Sequence, residues 1–163
     1  MNRFFTLADL AAALSDSEAP EESVALSQKG LKNLTQRAGV VPAARSGRAD
    51  LYSLEGACTI RLAADLAALG VGMSAAAGYV SWLSSRVARA VERASVGERF
   101  DHIATPAFGL LSFEEHIEDG TGRAASALRQ ARAAGLAPEP VRSRIVVPAS
   151  GLIRDTLARL GEG

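Results

Sequence analysis

The side chains best suited to chemistry lie between residues 27 and 61. Six cationic residues and only two acidic ones, Asp50 and Glu55, give this stretch a net charge of +4 in a chain whose total charge is zero. Lysine and arginine bind phosphate groups, and the amide side chains between them can exchange hydrogen bonds with nucleotide base edges. Because most charged stretches are only solvated surface, an exposed helix face without a ligand is the alternative. The six cations are Lys29, Lys32, Arg37, Arg45, Arg48 and Arg61.

Catalytic and metal-binding residues are sparse in the chain as a whole. It has two histidines and one cysteine, and none of them has the spacing of a known catalytic or metal motif, so we expect no enzyme activity, no metal and no cofactor. Cys58 fits a buried apolar position, and His102 beside Asp101 fits an exposed pair. One acidic run could be imagined as a metal site but fits a solvated helix or turn better. It contains Glu114, Glu115, His116, Glu118 and Asp119.

Signals for helix ends divide the first 40 residues into two helices. Thr6 can cap a short helix that ends at Leu14, because a threonine hydroxyl accepts hydrogen bonds from amides of the first turn. A polar, acidic connection follows over residues 15–22. A second helix begins near Ser23 or Ser27 and ends at Gly39, since glycine favours the left-handed backbone found after helix ends.

Residues 43–52 predict a small hairpin with Gly47 at its tip. Ser53 then caps a third helix, which has an apolar ridge and ends at Gly70. Two helices, a basic hairpin and a further helix make the layout of a winged helix-turn-helix. In that layout the second helix can enter the major groove of DNA, and the hairpin arginines can contact phosphate or the adjacent minor groove.

Residues 31–53 resemble the MerR family of transcription regulators. The resemblance rests on a leucine-rich basic helix, its Gly-Val-Val-Pro exit at 39–42, a wing rich in arginine and glycine, and Leu-Tyr-Ser at 51–53. The third helix also ends in a similar way, with Leu-Ala-Ala-Leu-Gly-Val at 66–71, and the resemblance covers about residues 4–85. It implies a sequence-specific regulator that binds double-stranded DNA as a homodimer and meets RNA polymerase at a promoter.

The resemblance and the residue types together predict a set of DNA contacts. We expect the cations to supply affinity through phosphate contacts, and the amides and one arginine to supply specificity through base edges. The predicted contact residues are Gln28, Lys29, Lys32, Asn33, Gln36, Arg37, Arg45, Ser46, Arg48 and Tyr52.

A heptad pattern predicts a long helix over residues 74–94. Apolar residues there alternate steps of four and three, and we call these six residues the seam. The seam could join two copies of the chain, chiefly through Val80, Leu83 and Val87, or it could be a core stripe within one copy. The resemblance favours the dimer. The seam residues are Ala76, Val80, Leu83, Val87, Ala90 and Ala94.

The expected fold is mainly α with small β elements. It comprises a winged helix-turn-helix over 1–72, a linking and dimerisation helix over 73–97, and a small α+β part over 98–163. In that last part, residues 100–113 suit strands and a turn, 121–134 a helix, 144–147 a strand and 151–160 a final helix. No apolar stretch makes a convincing membrane span or signal peptide, so a cytoplasmic protein is expected.

Two other functions stay open at this point. A phage-type excisionase or small terminase subunit can use a similar winged helix for DNA architecture or packaging. A winged helix can also become a protein-interaction module that no longer binds DNA. The acidic connection, the zero net charge and the absence of the aromatic pair usual in the family's recognition helix favour this last possibility.

Overall fold

The computed structural model describes residues 3–14, 27–107, 110–117 and 144–161 of the 163-residue chain. Within these residues the fold is mixed α/β, with six helices and antiparallel sheets of two and three strands. The elements in chain order are α1 (Leu7–Leu14), α2 (Gln28–Ala38), β1 (Ala44–Ser46), β2 (Ala49–Leu51), α3 (Leu54–Ala68), α4 (Met73–Leu83), α5 (Val87–Ser95), β3 (Phe100–Ala107), β4 (Leu110–Ile117), β5 (Ile145–Val147) and α6 (Ala149–Arg159).

The ends of α1 and α2 confirm the helix signals in the sequence. The Thr6 amide donates to the Asp9 carboxylate at 2.8 Å, and the Asp9 amide donates back to the Thr6 hydroxyl at 3.2 Å. Hydrogen bonds to this carboxylate from the Thr6 amide and the Thr6 hydroxyl hold the pKa of Asp9 below its usual value. Of the two predicted starts for α2, Ser27 is the cap, and its hydroxyl accepts from the Gly30 amide at 3.0 Å. Gly39 ends α2 with φ of 75°.

The predicted hairpin is confirmed as the antiparallel pair of β1 and β2, with Gly47 at the turn. Its base is tied to the start of the chain, because Phe5 and Tyr52 exchange two backbone hydrogen bonds of 2.9 Å each. Ser53 caps α3 as predicted, its hydroxyl accepting from the Gly56 amide at 3.2 Å.

The long helix predicted over 74–94 is wrong, because the chain forms two helices there. α4 ends at Leu83, and α5 begins at Val87. In an uninterrupted helix the Trp82 carbonyl would accept from the Arg86 amide, but that amide binds the Leu83 carbonyl at 2.8 Å instead. The Arg86 guanidinium donates to the Trp82 carbonyl at 2.8 Å. A side chain thus takes the place of a helical hydrogen bond and favours the turn.

The six seam residues are buried within the chain, with exposed fractions between 0 and 9%. They pack into the two apolar clusters that form the core. The seam is therefore a core stripe within one copy of the chain, which was the alternative to a contact between two copies. The contact with a second copy assigned to Val80, Leu83 and Val87 is corrected accordingly, because the same chain already covers these side chains. The dimer itself stays a prediction.

Helix α3 contributes to both apolar clusters. Its Ile60 and Ala64 pack with α1, α2 and the start of α4, whereas Leu62 and Leu66 pack with α4, α5, β3 and α6. Cys58 is buried in the second cluster, as expected from its ridge position. Helix α6 packs against α3 and so connects the C-terminal residues to the N-terminal ones. The domain boundaries at residues 72 and 97 stay a prediction.

The C-terminal strands form one antiparallel sheet in the order β4-β3-β5. They confirm the strands predicted within 100–113 and 144–147 for residues 100–107, 110–113 and 145–147, and α6 confirms the final helix. Residues 108–109, where the turn was predicted, lie outside the described residues. The helix predicted over 121–134 lies outside the described residues. The acidic run from Glu114 to His116 lies on β4, so the expectation of a helix or turn there is wrong. Glu118 and Asp119 lie outside the described residues.

No helix among the described residues has both the length and the hydrophobicity needed to span a membrane.

Candidate nucleic-acid interface

A groove runs between the first turn of α1, one side of α2 and the β1–β2 hairpin, and it encloses about 580 Å³. Its α2 wall carries Gln28, Lys32 and Gln36, which are four residues apart and therefore lie in one row along the helix. The hairpin wall carries Arg45 and Arg48. Cations and amides predicted as contacts thus line one concave surface, which we call the α2–hairpin groove.

A second polar row lies beside the first on the outward side of α2. It consists of Lys29, Asn33 and Arg37, and all three side chains are exposed. The opposite side of α2 buries Leu31 and Leu34 in the first apolar cluster, which fixes the rotation of the helix about its axis. All six contact residues predicted on this helix therefore face solvent.

Four cations around the α2–hairpin groove have no partner within the described part of the chain. Their side chains make no hydrogen bond or ion pair to any residue that the structure describes. A group of like charges without counter-charges among the described residues gives a positive surface potential there, which attracts polyanions. These cations are Lys29, Lys32, Arg37 and Arg48.

The hairpin presents its arginines on a tight turn. Gly47 has φ of 60°, in the left-handed region that side chains other than glycine rarely adopt. The strand register places Arg45 opposite Asp50, and the Arg45 Nε donates to the Asp50 carboxylate at 2.7 Å. Ser46 and Arg48 are exposed on either side of the turn. The hairpin therefore offers one arginine held by a carboxylate and one without a partner in the described residues.

Tyr52 is a core residue, although it borders the groove. Only 2% of its surface is exposed, and its backbone pairs with that of Phe5. The predicted DNA contact through this side chain is corrected accordingly. Tyr52 directly precedes Ser53, which caps the largely buried helix α3. This position in the sequence indicates a packed side chain, whereas the family resemblance indicated a DNA contact.

The polar side chains around His102 have partners inside the chain. The Tyr79 hydroxyl and His102 Nδ1 share a hydrogen bond of 2.5 Å, and His102 Nε2 lies 3.7 Å from the Glu115 carboxylate. Arg93 pairs with Glu115 and Glu98, at 2.5 Å each. Burial lowers the pKa of His102 to about 4 and raises the pKa of Tyr79. These five residues form what we call the His102 cluster.

The expectation of an exposed His102 is wrong, because this side chain is buried between α4 and the sheet. The alternation along β3 buries Phe100, His102 and Ala104 and leaves the residues between them partly exposed. That alternation is visible in the sequence and could have placed His102 on the core side.

A second groove, of about 690 Å³, lies beside α5 and the end of β4. Arginine and glutamate line it in equal numbers, and Arg93 is already paired with two of these glutamates. This groove thus lacks the excess positive charge of the α2–hairpin groove. Its charged residues are Arg86, Arg89, Arg93, Glu92, Glu98 and Glu115. Among the residues that the structure describes, no three metal-ligating side chains come together.

Comparison of the chain with models of known protein families and with curated proteins found no match.

Proposed function

We propose that residues 3–72 form a winged helix-turn-helix that binds double-stranded DNA, and that the protein is a sequence-specific transcription regulator. The observation that carries this proposal is the pairing across one groove of an amide-bearing, cationic helix face with two hairpin arginines. The α2 side of this groove and the hairpin both lack acidic residues except Asp50. A positive, polar, concave surface of this kind matches the phosphate backbone of DNA better than it matches an apolar partner.

The dimensions of DNA suggest how this surface docks. A major groove about 12 Å wide admits one α-helix, and α2 is the exposed helix whose outward rows are polar throughout. With α2 in the major groove, the hairpin reaches the adjacent minor groove. The phosphates between the two grooves then lie along the α2–hairpin groove, within reach of Lys32, Arg45 and Arg48.

In this arrangement, the glutamine and asparagine side chains of α2 contact the base edges. Glutamine and asparagine can bond the N6 and N7 edge of adenine, which gives sequence information that phosphate contacts do not. Gln28 and Gln36 line the groove and Asn33 lies in the outward row. The rows are adjacent, so both can face the base pairs of one major-groove segment.

Homodimerisation and contact with RNA polymerase are further parts of this proposal. Two copies would bind a two-fold symmetric site, as dimeric helix-turn-helix proteins do. The contact between copies would use a surface other than the seam, because the seam is covered within each chain.

The test is to incubate the protein with fragments of its own genome, recover the bound DNA and sequence it. We expect enrichment of a small set of sites that share a short motif. Lys32→Ala should weaken all sites alike, whereas Gln36→Ala should relax the motif at one base pair, a loss of about 1–3 kcal/mol of discrimination. Arg89→Ala removes the same charge on α5 and serves as the control.

The distribution of recovered fragments separates the remaining alternatives. Sites upstream of genes support a regulator, and sites at attachment or packaging sequences support the excisionase or terminase alternative. Failure of the wild-type protein to retain any DNA at low salt would contradict the proposal and favour a protein-interaction module.

A further inference from the structure

Asp50 is the one acidic residue in the hairpin, and it lies beside a cation of the proposed DNA surface. The strands place Arg45 and Asp50 directly opposite each other, and their side chains meet through Arg45 Nε and Asp50 Oδ1 at 2.7 Å. The side chain of Arg45 is 75% exposed and that of Asp50 38% exposed. This is an ion pair in solvent, a class that contributes little to folding stability.

The geometry of this pair leaves the phosphate-binding end of Arg45 free. Only the Nε hydrogen is used, and the two terminal nitrogens of the guanidinium make no hydrogen bond to the described residues. Those nitrogens form the fork that binds two oxygens of a phosphate at once. A carboxylate that already holds Nε fixes the plane of this fork before any phosphate arrives.

Two effects of Asp50 on DNA binding therefore oppose each other. Its negative charge repels phosphate, but between exposed groups this repulsion is screened over about 8 Å at physiological salt. Its bond to Arg45 reduces the rotamer freedom that the arginine would otherwise lose on binding. Arg48, across the turn, has no such support among the described residues and must be ordered by the DNA itself.

We propose that Asp50 is a positioning residue, which orients the Arg45 guanidinium for bidentate contact with a DNA phosphate. This inference rests on the proposed DNA binding and deepens it. Removing the acidic Asp50 side chain from the proposed DNA-binding surface therefore weakens DNA binding at physiological salt.

The experiment measures the Kd for a double-stranded DNA oligonucleotide carrying an enriched site, at 150 mM salt. We expect Asp50→Ala and Arg45→Ala each to weaken binding about three- to tenfold, and the double variant to bind no more weakly than Arg45→Ala. Asp50→Asn keeps an oxygen that can accept from Nε, so it should recover part of the lost affinity. Thermal unfolding of each variant should match the wild type.

A matched control is available on α6. Asp155 accepts from the Arg159 Nε at 2.8 Å and is 39% exposed, so Asp155→Ala removes the same charge from a similar pair outside the groove lining. We expect this variant to bind DNA as the wild type does.

Three outcomes would overturn the inference. Equal or tighter binding by Asp50→Ala would show that repulsion by Asp50 cancels or exceeds the benefit of positioning. A further loss in the double variant would show that Asp50 acts independently of Arg45. In both cases the proposed function would stand, because the wild type binds. Absence of DNA binding by the wild type would overturn the function and the inference together.

Discussion

The α2–hairpin groove and the His102 cluster are both rich in polar residues. The side chains of the cluster are paired with one another, whereas most of those around the groove have no partner in the described chain. Around the groove, Lys29, Lys32, Arg37 and Arg48 are exposed and have no partner in the described chain. In the His102 cluster, each titratable side chain has a partner on another element or along the chain. Polar groups satisfied internally stabilise the fold, whereas those left to solvent are available to a ligand.

This contrast also separates the consequences of substitution. Changes in the interior around the His102 cluster should lower the free energy of unfolding, and they should affect ligand affinity only through the loss of folded protein. Changes on the groove should lower ligand affinity and leave the free energy of unfolding almost unchanged. We expect the effects on the free energy of unfolding to decrease from the packed interior to the exposed surface.

The largest effect is expected for Leu83→Ala. Leu83 is fully buried in the second apolar cluster, so its truncation removes apolar contacts and leaves a cavity. We expect a loss of about 2–5 kcal/mol in the free energy of unfolding, measured with urea. Leu69→Ala removes the same atoms from a residue that is 54% exposed and should change stability by less than about 0.5 kcal/mol. A small loss for Leu83→Ala, together with a shift from dimer to monomer in sedimentation, would restore the seam as a dimer contact.

Lowering the pH should destabilise the protein through His102. Burial holds the pKa of His102 at about 4 in the folded state, whereas the value for an unfolded chain is about 6.5. Between these values the unfolded chain binds more protons, so stability falls as the pH falls. The contribution of His102 is about 3 kcal/mol between pH 7 and pH 4. Urea unfolding at several pH values should show this slope in the wild type, and His102→Gln should lose it. An unchanged slope in that variant would contradict the lowered pKa of His102 in the folded state.

Tyr79→Phe should have a smaller effect than either. The variant leaves the buried His102 Nδ1 without its 2.5 Å partner, which costs about 1–3 kcal/mol in the free energy of unfolding. Tyr52→Phe is the matched control, because Tyr52 is also buried but its hydroxyl makes no hydrogen bond within the described residues. Equal losses in the two variants would contradict the role assigned to the Tyr79 hydroxyl.

The smallest effect on stability is expected for Gln36→Ala and Lys32→Ala. Both side chains are exposed on α2 and have no partner in the described chain, and alanine is a good helix former. We expect changes within about 0.5 kcal/mol in the free energy of unfolding. A large destabilisation by either variant would mean that these residues support the fold, and it would remove them from the proposed DNA surface.

Local signals in the sequence were enough to place most elements. Ser27 and Gly39 bound α2, and Gly47 marks the hairpin turn, because caps and turns depend on a few neighbouring residues. The same local reasoning also identified some of the polar residues that line the α2–hairpin groove, namely Gln28, Lys32, Gln36, Arg45 and Arg48. Helical periodicity predicted that the polar residues of α2 share the side of the helix that faces solvent.

The features that the sequence did not predict depend on tertiary contacts. The heptad pattern continues through residues 84–86. There the Arg86 side chain donates to the Trp82 carbonyl, and α4 has already ended at Leu83. His102 is polar, and its burial depends on Tyr79, 23 residues earlier in the chain. Tyr52 matched a family motif, but Phe5 pairs with its backbone from the start of the chain. For His102 and Tyr52 a residue distant in the chain decides the environment, whereas the break between α4 and α5 is marked by a contact four residues apart.

The salt dependence of DNA binding is the most direct test of the proposed DNA surface. Each phosphate neutralised by a cation changes the slope of log K against log salt by about 0.9. We predict that replacing Lys29, Lys32 and Arg48 with alanine reduces the magnitude of the wild-type slope by roughly three units. Replacing Arg89, Arg99 and Arg144, which are exposed elsewhere and have no partner in the described chain, removes equal charge and should leave the slope unchanged. Equal slopes for the two triple variants, or no DNA binding by the wild type, would contradict the account.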